Sequence, residues 1–270
     1  MRLTDRIDSL MSLPHFFLED QILAQETQPS FELRLSSDDL KHVRALRLKP
    51  GEHIAVVDAA SDYFECEVCS VDKTSIRVQR AQHLEAQMRP SVVLAQGLAK
   101  ADKMDTIIRH ATELGVSAFV PLLCERSIVK LDEKKTASRM HRWETLAKSA
   151  AMQSGQARIP EILEPASIDS LTQLFSGATA VLVCWEEADL TQTLSQALSC
   201  ALAHTGQLPQ DARVLVVVGP EGGLSQGEVS HLLSSHPRSY AITLGPTILR
   251  TETAGIVAPA LVFYELERNA

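Results

Sequence analysis

Five consecutive aliphatic residues, Val214-Leu215-Val216-Val217-Val218, run directly into Gly219-Pro220-Glu221-Gly222-Gly223. A run with no polar residue on either face reads as a strand covered on both sides, as inside a parallel sheet flanked by helices. In such sheets ligands gather beyond the carboxyl ends of the strands, so the glycine turn lies where a site belongs. After it, Ser225 stands three residues before Glu228, the spacing of a capping box, and Val229, Leu232 and Leu233 form the apolar stripe of a helix. The unit is strand, glycine turn, helix. A second such unit begins at Tyr240-Ala241-Ile242-Thr243-Leu244, turns at Gly245-Pro246 and leads to a helix expected over residues 251–267.

Glycine lets the backbone take φ > 0 and lets a ligand approach the peptide groups closely. A polyphosphate would want the lysine and spacing of a P-loop, and a dinucleotide would want G-x-G-x-x-G early in a βαβ unit. Neither is present, and Glu221 would repel phosphate, so the acidic turn suits a neutral or cationic ligand. Two such turns side by side would form a cofactor pocket. The last helix has apolar residues around nearly its whole circumference, which predicts burial under its own domain and against another subunit. Arg250, Thr251, Glu252 and Thr253 mark its start. Threonine is an ordinary N-cap and glutamate an ordinary dipole partner, but a cation there is unfavourable without a partner. Arg250 is therefore a candidate for function.

Upstream, alternating apolar positions predict short strands around residues 31–35, 53–57, 63–68 and 75–79, with a helix over 38–46. Short strands with tight turns suggest a small barrel. Residues 80–90 are polar and end in proline, the composition of a linker. From Val92 strands and helices alternate: strand 92–97, helix 102–114 stopped by Gly115, strand 118–122, a helix around 137–153 and strand 180–185, then the two motif strands. That order predicts an α/β domain with a mainly parallel sheet.

The net charge of −8 alone argues against a nucleic-acid partner, but its distribution does not. Residues 1–88 carry 10 basic and 15 acidic side chains, residues 89–150 carry 11 and 7, and residues 151–270 carry 5 and 12. The middle of the chain is basic. The five cysteines lie mostly in apolar surroundings, as reduced thiols do, and Cys66 and Cys69 lack a second pair to complete a zinc site. The expectation is a cytoplasmic protein with no metal, no signal peptide and no membrane span. Hydrolase readings lack a G-x-S-x-G elbow.

The motifs GPEGG (219–223) and LGPTILRTETA (244–254), with the blocks 100–135 and 142–162, resemble the RsmE family. This family belongs to the SPOUT superfamily and methylates uracil N3 in small-subunit ribosomal RNA. The resemblance spans residues 11–267. It implies a C-terminal SPOUT domain (90–270) with a trefoil knot, a PUA-like or OB-like barrel (11–85) that grips RNA, and a homodimer. Residues 1–10 precede the family's usual start and are expected to be a disordered extension. Three positions depart from the family pattern: Thr247 and Met152 replace an arginine and a glutamate, and His15 stands at an N-terminal basic position.

The implied cofactor is S-adenosyl-L-methionine, contacted by Gly219, Pro220, Glu221, Gly222, Gly223, Leu244, Gly245, Ile248, Leu249, Arg250 and Thr253. The superfamily pattern adds Trp185 and Glu186 as the third side of the pocket. Uracil N3 is a weak nucleophile until its proton leaves, so the site needs a base or a cation that stabilises the anion. Arg250 is the candidate cation and Glu252 the candidate base. Lys100, Lys103, Arg109, Arg126, Lys130 and Arg142, with His15, His42, Arg44 and Arg47, are the candidate contacts to small-subunit ribosomal RNA or the 30S subunit. The other readings are a SPOUT enzyme acting elsewhere on RNA, and an RNA-binding assembly factor without catalysis.

Overall fold

The computed structural model describes residues 13–85, 88–100, 102–129, 133–189 and 191–268. The expected extension at residues 1–10 lies outside the described residues. The chain divides into two units, Met1–Gln87 with Ala151–Arg158, and Met88–Ala150 with Ile159–Ala270. The excursion of residues 151–158 into the first unit has no signature in the sequence.

The first unit is built from β1 (His15–Phe17), β2 (Phe31–Glu32), α1 (Ser37–Leu46), β3 (His53–Val57), β4 (Tyr63–Val71) and β5 (Ile76–Leu84). Its sheet has the order β1-β3-β4-β5-β2, antiparallel except for the β1–β3 pair. Phe16, Leu23, Ile54, Val56, Cys66, Val68, Ile76 and Val78 form its core, joined by Val43 of α1 and by Ala151 and Met152. Met152, one of the three expected departures, is thus a buried apolar residue in an apolar cluster. Residues 80–84, expected to open the linker, belong to β5: their backbones pair with β4 from Cys66 to Tyr63, while residues 80–83 are exposed. Their polarity reports exposure of the side chains and says nothing of the ladder beneath.

The second unit continues with β6 (Ser91–Gly97), α2 (Lys103–Leu114), β7 (Ala118–Leu123), α3 (Glu133–Ser154, whose last residues fall in the first unit), β8 (Glu161–Ile162), β9 (Ala166–Ser167), α4 (Ile168–Thr172), β10 (Ala180–Cys184), α5 (Leu194–Thr205), β11 (Arg213–Val218), α6 (Gln226–Ser234), β12 (Ser239–Ile242) and α7 (Thr251–Arg268). All its strand pairs are parallel, in the order β12-β10-β11-β6-β7-β8, with β9 also on β7. The α/β class with a mainly parallel sheet is therefore the observed architecture. Along β11, Val214, Val216 and Val218 enter one core with residues of α2, α5 and α7, while Leu215 and Val217 enter another with residues of α4 and α6. That is the two-sided burial which the unbroken aliphatic run requires.

The capping box at Ser225 and Glu228 starts α6 as expected, and Gly115 ends α2 with φ +100°. Asp102 sits before α2 but makes no side-chain cap hydrogen bond. Helix α5 was not foreseen, although Thr193 and Gln196 form a second capping box and Leu194, Ala197, Leu198 and Ala201 supply the buried stripe. In α7, Thr251, Ala254, Gly255, Ala258, Pro259, Val262, Phe263 and Leu266 are buried. This is one face: Leu261 and Tyr264 stay 38% and 60% exposed, so within one chain the helix is covered on one side and not all round.

Candidate cofactor and substrate pocket

Cys184 lies opposite Val218 on one neighbour and Ile242 on the other, so β10, β11 and β12 end level. The turns that follow all open beyond the same sheet edge. They line one cavity of about 820 Å³ through Trp185–Ala188, Gly219–Leu224 and Thr243–Thr251. A volume of that size falls within the ordinary range for small-molecule sites, roughly 300–1,000 Å³.

The glycines are needed for the loop's own closure. A Cβ on Gly219 would stand 2.9 Å from the backbone of Gly223 and Leu224, and Gly223 has φ +69°. Gly223 N–H closes the turn on Pro220 O at 2.9 Å. At Gly222 the close neighbour is Arg126 Cβ, 2.9 Å from where a Cβ would be. Sequence reasoning assigned that glycine to ligand approach, whereas in the structure it makes room for Arg126. The Arg126 guanidinium donates to Gly222 O at 3.2 Å and Leu224 O at 3.3 Å, which pins the turn.

The start of α7 is tied to the same turn. Thr251 Oγ1 donates to Gly219 O at 2.7 Å and accepts from Gln96 Nε2 at 2.9 Å, all in buried surroundings. Thr251, read from sequence as an ordinary cap, thus joins the two glycine motifs. Gln96 and Gly97, which no motif flagged, complete the junction: a Cβ on Gly97 would fall 2.3 Å from Pro220 N.

Three charged groups meet at the wall, of which Lys103 and Glu221 line the cavity. Lys103 Nζ is 3.0 Å from Glu252 Oε2 and 3.4 Å from Glu221 Oε1, and Lys100 N–H donates to Glu221 Oε1 at 2.9 Å. The Glu252 carboxylate first, and then that of Glu221, raise the Lys103 ammonium above its usual range. Burial works to raise the Glu221 carboxyl, but the backbone N–H groups and Lys103 outweigh it and hold the carboxyl low. Glu252 is also held low, by its own backbone N–H first and then, against partial burial, by Lys103 and Arg250. Both carboxylates are ionised at neutral pH. Cys184 lines the cavity with its thiol pushed up to about 12 by burial, so it stays protonated and offers no thiolate.

The expected cofactor residues Trp185, Glu186, Gly219, Pro220, Glu221, Gly222, Gly223, Leu244, Gly245, Ile248, Leu249 and Arg250 all line this one cavity, with Thr247 beside them. Thr253 and Glu252 do not, and Lys103, expected on the RNA surface, does. The donor set fits S-adenosylmethionine. Glu186 and Glu187 suit a cationic ligand, and among the described residues no hydrogen bond joins the backbone of residues 246–249 to the rest of the chain.

The remaining candidates divide by exposure. His42, Arg44, Arg47, Lys100, Arg109, Arg126, Arg142 and Arg250 are exposed, although Arg142 is paired with Asp105 at 2.8 Å. His15 is not available to a partner: it is 1% exposed, with Nδ1 2.7 Å from Leu13 O and Nε2 2.6 Å from the Tyr63 hydroxyl. Lys130 lies outside the described residues. Among the described residues no group of His, Cys, Asp and Glu could hold a metal, and no helix is long and apolar enough to cross a membrane.

The sequence matches the model of an RNA methyltransferase domain over residues 87–263. It is similar to the ribosomal RNA small subunit methyltransferase E of Bacillus subtilis, 34% identical over 94% of this chain and 98% of that one. In fold it is similar to the ribosomal RNA small subunit methyltransferase E of Neisseria gonorrhoeae solved with S-adenosyl methionine, with a TM-score of 0.73, 25% identity and coverage of 92% and 96%. A putative methyltransferase of Legionella pneumophila, solved with the same cofactor, gives a TM-score of 0.73 at 27% identity over 93% and 96%.

Proposed function

This chain belongs to the family of the ribosomal RNA small subunit methyltransferase E, and from that premise we propose that it methylates uracil N3 of one uridine in 16S ribosomal RNA, at position 1498. The observation that carries the reading is the convergence of both glycine motifs and the Trp185 turn on one cavity with Arg250 at its rim. When bound, S-adenosylmethionine supplies a methyl group activated on a sulfonium, so the bond to N3 forms as the bond to sulfur breaks and a neutral thioether remains.

The protein's part is alignment and charge. The backbone of Gly219–Gly223 and Leu244–Leu249 holds the donor. Arg250 stabilises the uracil anion left when the N3 proton departs. Glu252, which stands behind the cavity lining beside Lys103, is the candidate proton acceptor; its lowered pKa makes it a weak base, so the cation carries more of the barrier. Basic residues of the second unit, Lys100, Arg109, Arg126 and Arg142, and His42, Arg44 and Arg47 of the first, contact phosphates of the assembled small subunit. Lys130 belongs to the same set.

The enzyme acts as a homodimer in the cytoplasm. Support for the dimer is the outer face of α7, where Leu261 and Tyr264 stand exposed. The trefoil knot and the N-terminal barrel implied by the family are part of this proposal. Thr247, in place of the family's arginine, removes one positive charge from the rim and leaves Arg250 as the cation on the loop from 243 to 251.

Mass spectrometry of small-subunit RNA from cells lacking this protein is expected to miss one methyluridine, restored by the wild-type gene and not by Arg250→Ala. An unchanged nucleoside profile would overturn the assignment. An RNA-binding assembly factor without catalysis would instead fail to bind S-adenosylhomocysteine in calorimetry.

A further inference from the structure

Lys103 opens α2, where the helix dipole disfavours a cation, and it is half-buried rather than extended into solvent. Its position is set by two carboxylates from different elements, Glu252 in the first turn of α7 and Glu221 in the turn after β11. An ammonium has three N–H donors. The Nζ stands within ion-pair distance of both carboxylates, and the residue itself lines the cavity.

We propose that Lys103 is a catalytic residue whose ammonium, on the cavity wall, donates to the uracil carbonyl oxygen next to N3 and stabilises the anion from which methyl transfer occurs. The inference rests on the uracil-N3 reading above and deepens it. When the N3–H bond breaks, the proton passes to solvent or to Glu252. The electron pair stays on the ring and spreads onto O2 and O4, where the fixed ammonium meets it. Arg250, by contrast, is exposed at the rim and must be ordered by the substrate. Lys103 is already oriented by its two acidic partners, so it responds to the developing charge without reorganisation.

The arrangement also accounts for the ionised Glu221 and Glu252. Two carboxylates beside an incipient anion would oppose catalysis if unpaired. With Lys103 between them, their charge is spent on holding the donor in place. The charged groups acting on Lys103 are Glu252 and Glu221, and those acting on Glu252 are Lys103 and Arg250.

The test compares wild type, Lys103→Met, Lys103→Gln and Lys103→Arg on small-subunit particles, in single turnover from neutral to alkaline pH. S-adenosylhomocysteine affinity is measured in parallel by calorimetry. For Lys103→Met we expect methylation to slow by about 10²-fold at neutral pH, the scale of losing one preorganised donor. The defect should narrow as alkali ionises N3 without help, with the cofactor-analogue affinity retained. Lys103→Arg should recover part of the rate. Lys103→Gln carries the same expectation as methionine if the methionine variant does not fold. A rate equal to wild type, a defect constant across pH, or an affinity that falls in step with the rate would each overturn the role. Absence of methylation by the wild type would instead overturn the functional reading itself.

Discussion

His15 shows how one burial changes the meaning of a residue. With Nδ1 against Leu13 O and Nε2 against the Tyr63 hydroxyl, the neutral ring donates at Nδ1 and accepts at Nε2. Burial lowers its pKa below the ordinary 6.5, against the raising effect of the Leu13 carbonyl. His236 is lowered as well, by burial and by Arg238. In both cases the unfolded chain takes up a proton before the folded one does. Their stabilisation is complete above pH 6.5 and is lost as pH falls from there through the lower folded values. Thermal melting measured against pH should therefore show a decline beginning below 6.5 that is shallower in His15→Gln. A variant with an unchanged slope would mean that His15 is not the titrating group. Glu221 and Glu252, whose carboxyls are lowered from 4.5, add a second loss at more acidic pH.

At the scale of elements, the decisive contact is between the end of β6 and the turn after β11. Gly97 leaves no space for a side chain, since a Cβ would meet Pro220 N at 2.3 Å and Gly219 C at 2.7 Å. These are backbone atoms, which cannot swing aside. Gly255 meets the same strand from α7, where a Cβ would lie 2.4 Å from Gln96 Oε1. We expect Gly97→Ala to cost about 1–3 kcal/mol, the usual range for overpacking, and to weaken S-adenosylhomocysteine binding because the displaced turn is the cofactor loop. Unfolding and calorimetry on the same sample check both; a variant as stable and as tight as wild type would show that the junction yields. Sequence periodicity located β6 and β11 but could not bring Gly97 to Pro220, because which strands are neighbours is not written in either segment.

For the whole molecule, the outer face of α7 is the surface to which the proposed homodimer is assigned. Leu261 and Tyr264 are exposed, and Arg268 lies over the Tyr264 ring at 5.6 Å. Leu261→Glu with Tyr264→Glu should shift sedimentation from dimer to monomer. Monomer stability should stay within about 0.5 kcal/mol per site, as for other exposed positions. An unaltered dimer would place the interface elsewhere. The Cβ-level fit of α7 against β6 belongs to the opposite face, so the double variant leaves it intact.

From the sequence alone came the α/β class, most strand and helix positions, and the two glycine turns as the candidate site, because alternation, aliphatic runs and capping residues are local and read directly along the chain. The short β8 and β9, and the passage of residues 151–158 into the first unit, left no such local mark, whereas α4 carried one in its Ser167 cap that went unread. Tertiary structure decided that three turns share one edge, that His15 is enclosed, that Gly222 accommodates Arg126, and that Lys103 stands on the pocket wall. Each of these depends on segments far apart in sequence meeting at contact distance, and a charge or a glycine acquires its role only from the partner that the fold sets against it.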